Sequence, residues 1–347
     1  MCIAGSSRLL TYITLRTAKG GEAISSFIQR IRDSCPPARG PRRRLSLSRD
    51  DRGSGLSSLC PSWILEKIME EVAPGVYVSS VYPGINVGLV VTGRWVVAID
   101  APPFPSDHQA WRKAARAIGR PIRYLILTDD HPDRLLGALW VGVPVIAGRG
   151  TWQRIRERGE NLPQALVEDW NRRYAPQGRA VLSPDGVRVP LPEIVVDGRV
   201  TLEDEIPVTV EAVPGPSAGS VWVWLPNRAM LFTGDVILRT HPPLSEAPSP
   251  TRWLEVLTRL EEGAPPARTV VPGRGPLGGP EVARPLAGYL RHVRQRLQAA
   301  MAGGRRPDLT ALAEELLPLL PASDRDRLLP QIRAGLERWL EEMAEGG

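Results

Sequence analysis

The stretch Leu125-Ile126-Leu127-Thr128-Asp129-Asp130-His131-Pro132-Asp133-Arg134-Leu135-Leu136-Gly137 constrains the fold of this chain more than any other. Its apolar first half reads as the end of a strand over Ile122 to Thr128, and it passes without a linker into acidic, imidazole and guanidinium side chains around a proline. Such a break sets titratable groups at the end of a strand and at the start of a helix. Three later segments follow the same plan, each a short apolar or Gly/Pro-rich run that delivers one charged or special residue. They are Pro214-Gly215-Pro216-Ser217-Ala218-Gly219-Ser220, Leu231-Phe232-Thr233-Gly234-Asp235 and Val270-Val271-Pro272-Gly273-Arg274-Gly275-Pro276. Upstream, Asn86-Val87-Gly88-Leu89-Val90-Val91 and Val96-Val97-Ala98-Ile99-Asp100 read as two strands.

Taken in order, these segments resemble the metallo-β-lactamase superfamily. The first resembles its Thr-His-x-His-x-Asp-His loop, with His131 and Asp133 in place, Asp129 where the first histidine stands and Arg134 where the last stands. The second resembles Pro-Gly-His-Thr-x-Gly-Ser with Pro216 at the histidine. The third is the strand that delivers the bridging aspartate, here Asp235, and the fourth resembles Val-Val-Pro-Gly-His-Gly-Pro with Arg274 at the histidine. The resemblance spans about Glu70 to Pro280. It implies an α/β fold, the four-layer αββα sandwich, with the ligand loops on one sheet edge. It also implies a first metal held by the positions of Asp129, His131 and Pro216, a second held by those of Asp133, Arg134 and Arg274, and Asp235 shared between them.

The residue types at those positions speak against two metals. A dinuclear zinc site of this kind draws on about five neutral imidazoles, which let two cations sit close together without excess negative charge. The chain has four histidines, His108, His131, His241 and His292, and only His131 falls in a motif. Proline has no ligand atom, and a guanidinium has no lone pair to donate. Asp129, His131 and Asp235 remain able to hold one divalent zinc, iron or manganese ion, with Asp133 orienting its water. Against this stands a plainer reading, in which Asp129 and Asp130 cap the loop and the helix that follows. For Arg134 and Arg274 the alternatives are fixed cations that replace a metal beside Asp133 and Asp235, or ordinary surface arginines. The expectation is no cofactor, with the single ion as the alternative.

Without a metal to lower the pKa of bound water from 15.7 to about 7, no other nucleophile presents itself. The body has no cysteine and no Gly-x-Ser-x-Gly elbow, and the neighbour of Ser217 is Pro216 instead of histidine. The function expected is therefore a catalytically impaired pseudo-hydrolase with a binding or structural role. The alternative is a mononuclear metal-dependent hydrolase of an ester, thioester or lactone.

Charge bears on partners only once it is located. Residues 1–68 carry 12 Lys/Arg against 5 Asp/Glu, and residues 69–347 carry 32 against 33, so the formal net charge of +6 belongs to the N-terminal stretch. A near-neutral body predicts no nucleic-acid partner and leaves a small-molecule or anionic ligand. The N-terminal stretch holds all three cysteines and is rich in Pro, Arg and Ser, a composition expected to be disordered. The family pattern begins beside Met69, which is expected to be the true start. No run of about 18 apolar residues occurs, so no membrane span and a cytoplasmic location are expected.

The sequence pattern divides the chain into an extension at 1–68, the sandwich at 69–280 and C-terminal amphipathic helices at 281–347. It places strands at Gly75 to Val81, Ile85 to Val91, Trp95 to Ile99, Glu193 to Val196, Val208 to Val213, Val221 to Leu225, Met230 to Phe232 and Thr269 to Val271, with helices at Ser106 to Ile118 and Pro250 to Glu262. Trp222 and Trp224 alternate with Val221 and Val223 and read as sheet packing. Gly150 to Arg173 reads as extra helix, either a cap over the site or a cover for core. Three C-terminal stripes, through Leu290, Leu312 and Leu336, are expected to pack on the sandwich, with a homodimer face as the alternative. Ser323 is a candidate cap of the last helix, and Pro330 a candidate kink.

Overall fold

The computed structural model describes residues 68–347, apart from 160, 180, 184, 186–187, 239–246, 303–305, 320–324 and 346–347. The expectations for residues 1–67 with their cysteines, for His241 and for Ser323 fall outside the described residues.

Seven strands form the first sheet in chain order: β1 (Glu70–Ala73), β2 (Val76–Ser79), β3 (Val87–Val91), β4 (Val96–Ile99), β5 (Ile122–Ile126), β6 (Val145–Gly148) and β7 (Ile194–Val196). The first four pair antiparallel and the last four parallel. Parallel neighbours need crossovers long enough to hold a helix. These are α1 (Pro105–Ala117), α2 (Pro132–Ala138), and the pair α3 (Arg149–Arg158) and α4 (Asn161–Tyr174). The second sheet holds β8 (Arg199–Leu202), β9 (Val208–Ala212), β10 (Val221–Leu225), β11 (Met230–Leu238) and β12 (Thr269–Arg274) in the order β12-β11-β10-β9-β8. Its one parallel pair, β11 with β12, is spanned by α5 (Pro250–Glu261). Helices α6 (Arg284–Met301), α7 (Leu309–Leu316) and α8 (Arg325–Glu345) follow.

Side-chain alternation builds the layers. Along β10, Val221, Val223 and Leu225 enter the core between the sheets with Val76, Val97, Ile126 and Phe232, while Trp222 and Trp224 face the helices on the other side. Leu125, Leu127, Trp111, Leu135 and Trp170 make the core between the first sheet and its helices. The C-terminal stripes, including Leu290, Leu297, Leu312, Leu336 and Trp339, pack with Trp253 and Leu257 of α5 in the core of the second sheet. The order is thus α, β, β, α, and α8 runs through Pro330 without ending.

Two departures from the sequence pattern have physical causes. β11 continues to Leu238 with all nine residues buried: Gly234, at a φ of +52° where its pairing with β12 shifts register, and Asp235 read as the end of a strand but lie in the interior. β1 and β8 are four-residue sheet-edge strands with partly exposed residues; β1 has neither an apolar run nor clean alternation, and β8 alternates polar and apolar over too few residues to stand out.

One buried histidine gives a stability prediction. His108 of α1 lies 4% exposed beside Trp111, with ring centroids 5.3 Å apart. Burial, and after it the Arg112 charge, push its pKa down to about 4. Protonation therefore favours the unfolded chain, and the stability His108 allows at neutral pH is lost as pH falls from about 6.5 towards 4. Parent and His108→Phe should diverge across that window, the parent losing roughly 1–2 kcal/mol more in urea titrations. The difference is the informative quantity, since buried carboxylates titrate in the same range. Equal pH profiles for the two proteins would exclude this role for His108.

Candidate functional site

The loop after β5 is tied to both sheets. The Thr128 backbone N–H donates to Asp100 Oδ1 at 3.0 Å and its hydroxyl to Asp100 Oδ2 at 2.7 Å, while the Thr128 carbonyl accepts from the Val221 N–H, at the start of β10, at 2.8 Å. Asp129 Oδ1 accepts the His131 N–H at 2.9 Å and closes the turn. Asp129 therefore caps the loop, as the plainer reading expected, but no side chain caps α2. Pro132 opens that helix, where a missing N–H costs nothing. This sets Asp133 and Arg134 in its first turn, both buried.

The turn after β12 is held from the β2–β3 connection. Asn86 Nδ2 donates to the carbonyls of Pro272 and Gly275, each at 2.8 Å, and its backbone N–H donates to the Gly273 carbonyl at 2.8 Å. Gly273 itself has no substitute, because a Cβ there would lie 2.1 Å from Asp235 Oδ1, 2.6 Å from the Gly234 carbonyl carbon and 2.7 Å from Arg134 Nη2.

These loops bring Asp129, His131, Asp133, Arg134, Asp235 and Arg274 together. Arg134 is 0% exposed. Its Nη1 donates to Asp133 Oδ2 at 2.5 Å and its Nη2 to Asp235 Oδ1 at 2.6 Å, while Nε lies 3.5 Å from Asp100 Oδ2. Arg274 Nη2 stands 2.9 Å from both Asp133 Oδ2 and Asp235 Oδ2, and its Nε donates to Asp235 Oδ2 at 3.2 Å. His131 Nδ1 lies 3.0 Å from Asp129 Oδ1 and 3.6 Å from Asp235 Oδ2. Asp130 faces away from this group and accepts from Arg154 of α3 at 2.9 Å. Neither arginine of the cluster is a surface residue, although Arg274, with its side chain 21% exposed, lies at the edge. Pro216 lies buried in the β9–β10 turn and offers no ligand atom.

Electrostatics follow from that packing. Burial alone would push Asp133 and Asp235 upward, but the two guanidinium groups outweigh it and hold both carboxyls below the usual range. Burial acts likewise on Asp129 and is outweighed by His131 and Arg134. Asp100 differs: burial raises it to about 7, and Arg134 at 3.5 Å only partly offsets this. The group is thus three firmly ionised carboxylates against two permanent cations and an imidazole, almost sealed from solvent.

The donor set decides what ion could fit. Ligand atoms of Asp129, His131 and Asp235 lie within 4.8 Å of one another and could hold one metal ion. At the second position the carboxylates of Asp133 and Asp235 already accept from guanidinium N–H groups. Arginine cannot coordinate, so these residues do not fit a second ion.

Four residues that shape this region were not singled out from sequence as site residues: Asp100, Asn86, Arg154 and Tyr174. Asp100 and Asn86 sit at the ends of strands that were recognised, and a polar residue at such an end is the signal that could have found them. Arg154 and Tyr174 come from α3 and α4 and have no local signal. Those helices mainly cover core: Trp170 is fully buried, with its ring 4.5 Å from Phe104 and 4.2 Å from Tyr174. Only Tyr174 reaches the edge of the charge cluster.

Comparison with known proteins agrees with this architecture. The model of the metallo-beta-lactamase superfamily matches residues 84–274. Among solved structures, a metallo-beta-lactamase family protein from Thermus thermophilus is 20% identical, with a TM-score of 0.57 over 79% of this chain and 95% of that one. The DIM-1 metallo-beta-lactamase is 17% identical, with a TM-score of 0.51 over 65% and 96%. The stereoselective inverting sec-alkylsulfatase Pisa1 from a Pseudomonas species is 14% identical, with a TM-score of 0.55 over 79% of this chain and 50% of that one. At such identities the likeness is one of fold alone.

Proposed function

Given that the chain belongs to the metallo-β-lactamase superfamily, we propose that it is a pseudo-hydrolase, in which a buried arginine–carboxylate network stands in place of the second metal and the protein has a binding or structural role. The observation that carries this reading is Arg134, which is inaccessible to solvent and bonded at 2.5 Å and 2.6 Å to Asp133 and Asp235. A guanidinium there neutralises the charge a divalent ion would have neutralised, and its planar fork holds the loops in place. It cannot supply hydroxide. Asp133, the position that would orient an attacking water, already accepts from both arginines.

A second reading is favoured by the grouping of Asp129, His131 and Asp235. In it one zinc, iron or manganese ion would serve the hydrolysis of an ester, thioester or lactone. The superfamily usually binds zinc, and when bound such an ion lowers the pKa of its water. The ion would compete with contacts already made, because Asp129 Oδ1 accepts the His131 N–H and Asp235 Oδ1 accepts from Arg134.

Metal content separates the two readings. Protein beginning at Met69 and purified from a metal-replete host is expected to carry well under one zinc, iron or manganese per chain by elemental analysis, and chelators should leave its melting temperature unchanged. Near-stoichiometric metal that disappears in Asp129→Ala or His131→Ala would reverse the ranking.

A further inference from the structure

We propose that the rim of the charge cluster is a subsite for an oxyanion, the carboxylate or phosphate group of a small molecule, received by Arg274 Nη1 and the Tyr174 hydroxyl. The assignment rests on the reading of Arg274 as a fixed cation of a metal-free site. Arg274 spends Nε and Nη2 on Asp133 and Asp235, and among the described residues no acceptor stands against Nη1. The Tyr174 hydroxyl likewise has no partner among them. The two groups converge: a point one Cβ bond from Gly84 lies 3.2 Å from Arg274 Nη1 and 3.2 Å from Tyr174 Oη. They are therefore no more than twice that distance apart, close enough for two oxygens of one oxyanion to accept from both at ordinary hydrogen-bond lengths of about 2.9 Å.

The backbone of Gly84 makes this approach possible. Its φ of +74° and the absence of a side chain let both groups lie against the turn, where a Cβ would crowd them. Tyr174 is also held in place. Its ring packs on Trp170 at 4.2 Å and meets Phe104 edge-on at 5.2 Å, so the hydroxyl is aimed without a further entropic cost on binding. Burial and the nearby Asp133 charge raise the Tyr174 phenol, so it keeps its proton and serves as a donor. Asp133 would repel an anion, but it is bonded to both Arg134 and Arg274, which it shares with Asp235, so attraction at the rim comes from the local N–H and O–H donors and not from a net positive charge. Arg179, 4.3 Å from the Phe104 ring centroid and paired with Asp107, covers the same aromatic group without adding net charge.

The test uses inorganic phosphate as the probe, read by phosphorus NMR line broadening at constant ionic strength, with acetate as competitor. Saturable broadening by the parent protein is expected, and Tyr174→Phe should bind phosphate about tenfold more weakly, as for loss of a hydrogen bond to a charged acceptor. Acetate displacing phosphate at lower concentration than phosphate itself would mark the group as a carboxylate, and weaker displacement would mark it as a phosphate; either result supports the subsite. Tyr174→Phe that folds like the parent and binds phosphate equally well would overturn it, as would failure of both anions to bind. Elemental analysis of the same samples keeps the premise apart, since bound metal would refute the metal-free reading whatever the NMR shows.

Discussion

Arg134→Ala is expected to destabilise the folded chain by about 3–5 kcal/mol, the range for breaking a buried ion pair by removing one partner. The cost arises on the carboxylate side. With the guanidinium gone, Asp133 and Asp235 would share Arg274 alone, and Asp100, already raised to about 7 by burial, would lose its nearest cation. Part of the loss should return when Asp235→Asn is added, because an amide has no charge to leave unpaired. Arg274→Ala should cost less, roughly 1–3 kcal/mol, since its side chain is 21% exposed and water can take over some of its bonds. Urea unfolding of the three variants measures the ordering. An Arg134→Ala protein within about 1 kcal/mol of the parent would show that the cluster does not hold these loops, and the proposed substitution of cation for metal would go with it.

Restoring histidine at positions 129, 134, 216 and 274 together is expected to take the protein from well under one metal ion per chain to about two. The change removes both guanidinium groups and returns imidazoles to four positions around the unchanged His131, Asp133 and Asp235. Neutral imidazole suits such a site because it adds ligand atoms without adding negative charge. Two backbone supports are independent of those four side chains, since Asn86 holds the Gly273–Gly275 turn and Asp100 holds Thr128, while the bond from the His131 N–H to Asp129 is given up. Elemental analysis and metal-dependent thermal stabilisation provide the measurements. A folded quadruple variant that binds no zinc would mean that the loops have left the family geometry.

The four-layer order could be read from sequence because its signals are local. A β-branched run, a Gly/Pro turn and the spacing of Leu290, Leu297, Leu312 and Leu336 each act within a few residues, and the structure places them in layers accordingly. The extension of β11 to Leu238 was hidden because glycine and aspartate ordinarily end strands. Here both are buried in the interior, and that depends on partners distant in sequence.

The site divides along the same line. Sequence alone determined which ligands were missing, since Pro216 has no donor atom and Arg134 and Arg274 cannot coordinate. It left open whether those arginines face solvent or the interior, and whether Asp129 caps a loop or binds an ion. Only the tertiary structure decided the first of these. Asp235 lies 101 residues from Arg134, and the carboxylates that draw Arg134 inside come from β11, from α2 and from the end of β4. No local pattern encodes that convergence, because the desolvation of a guanidinium is offset only where several distant acceptors meet it at once.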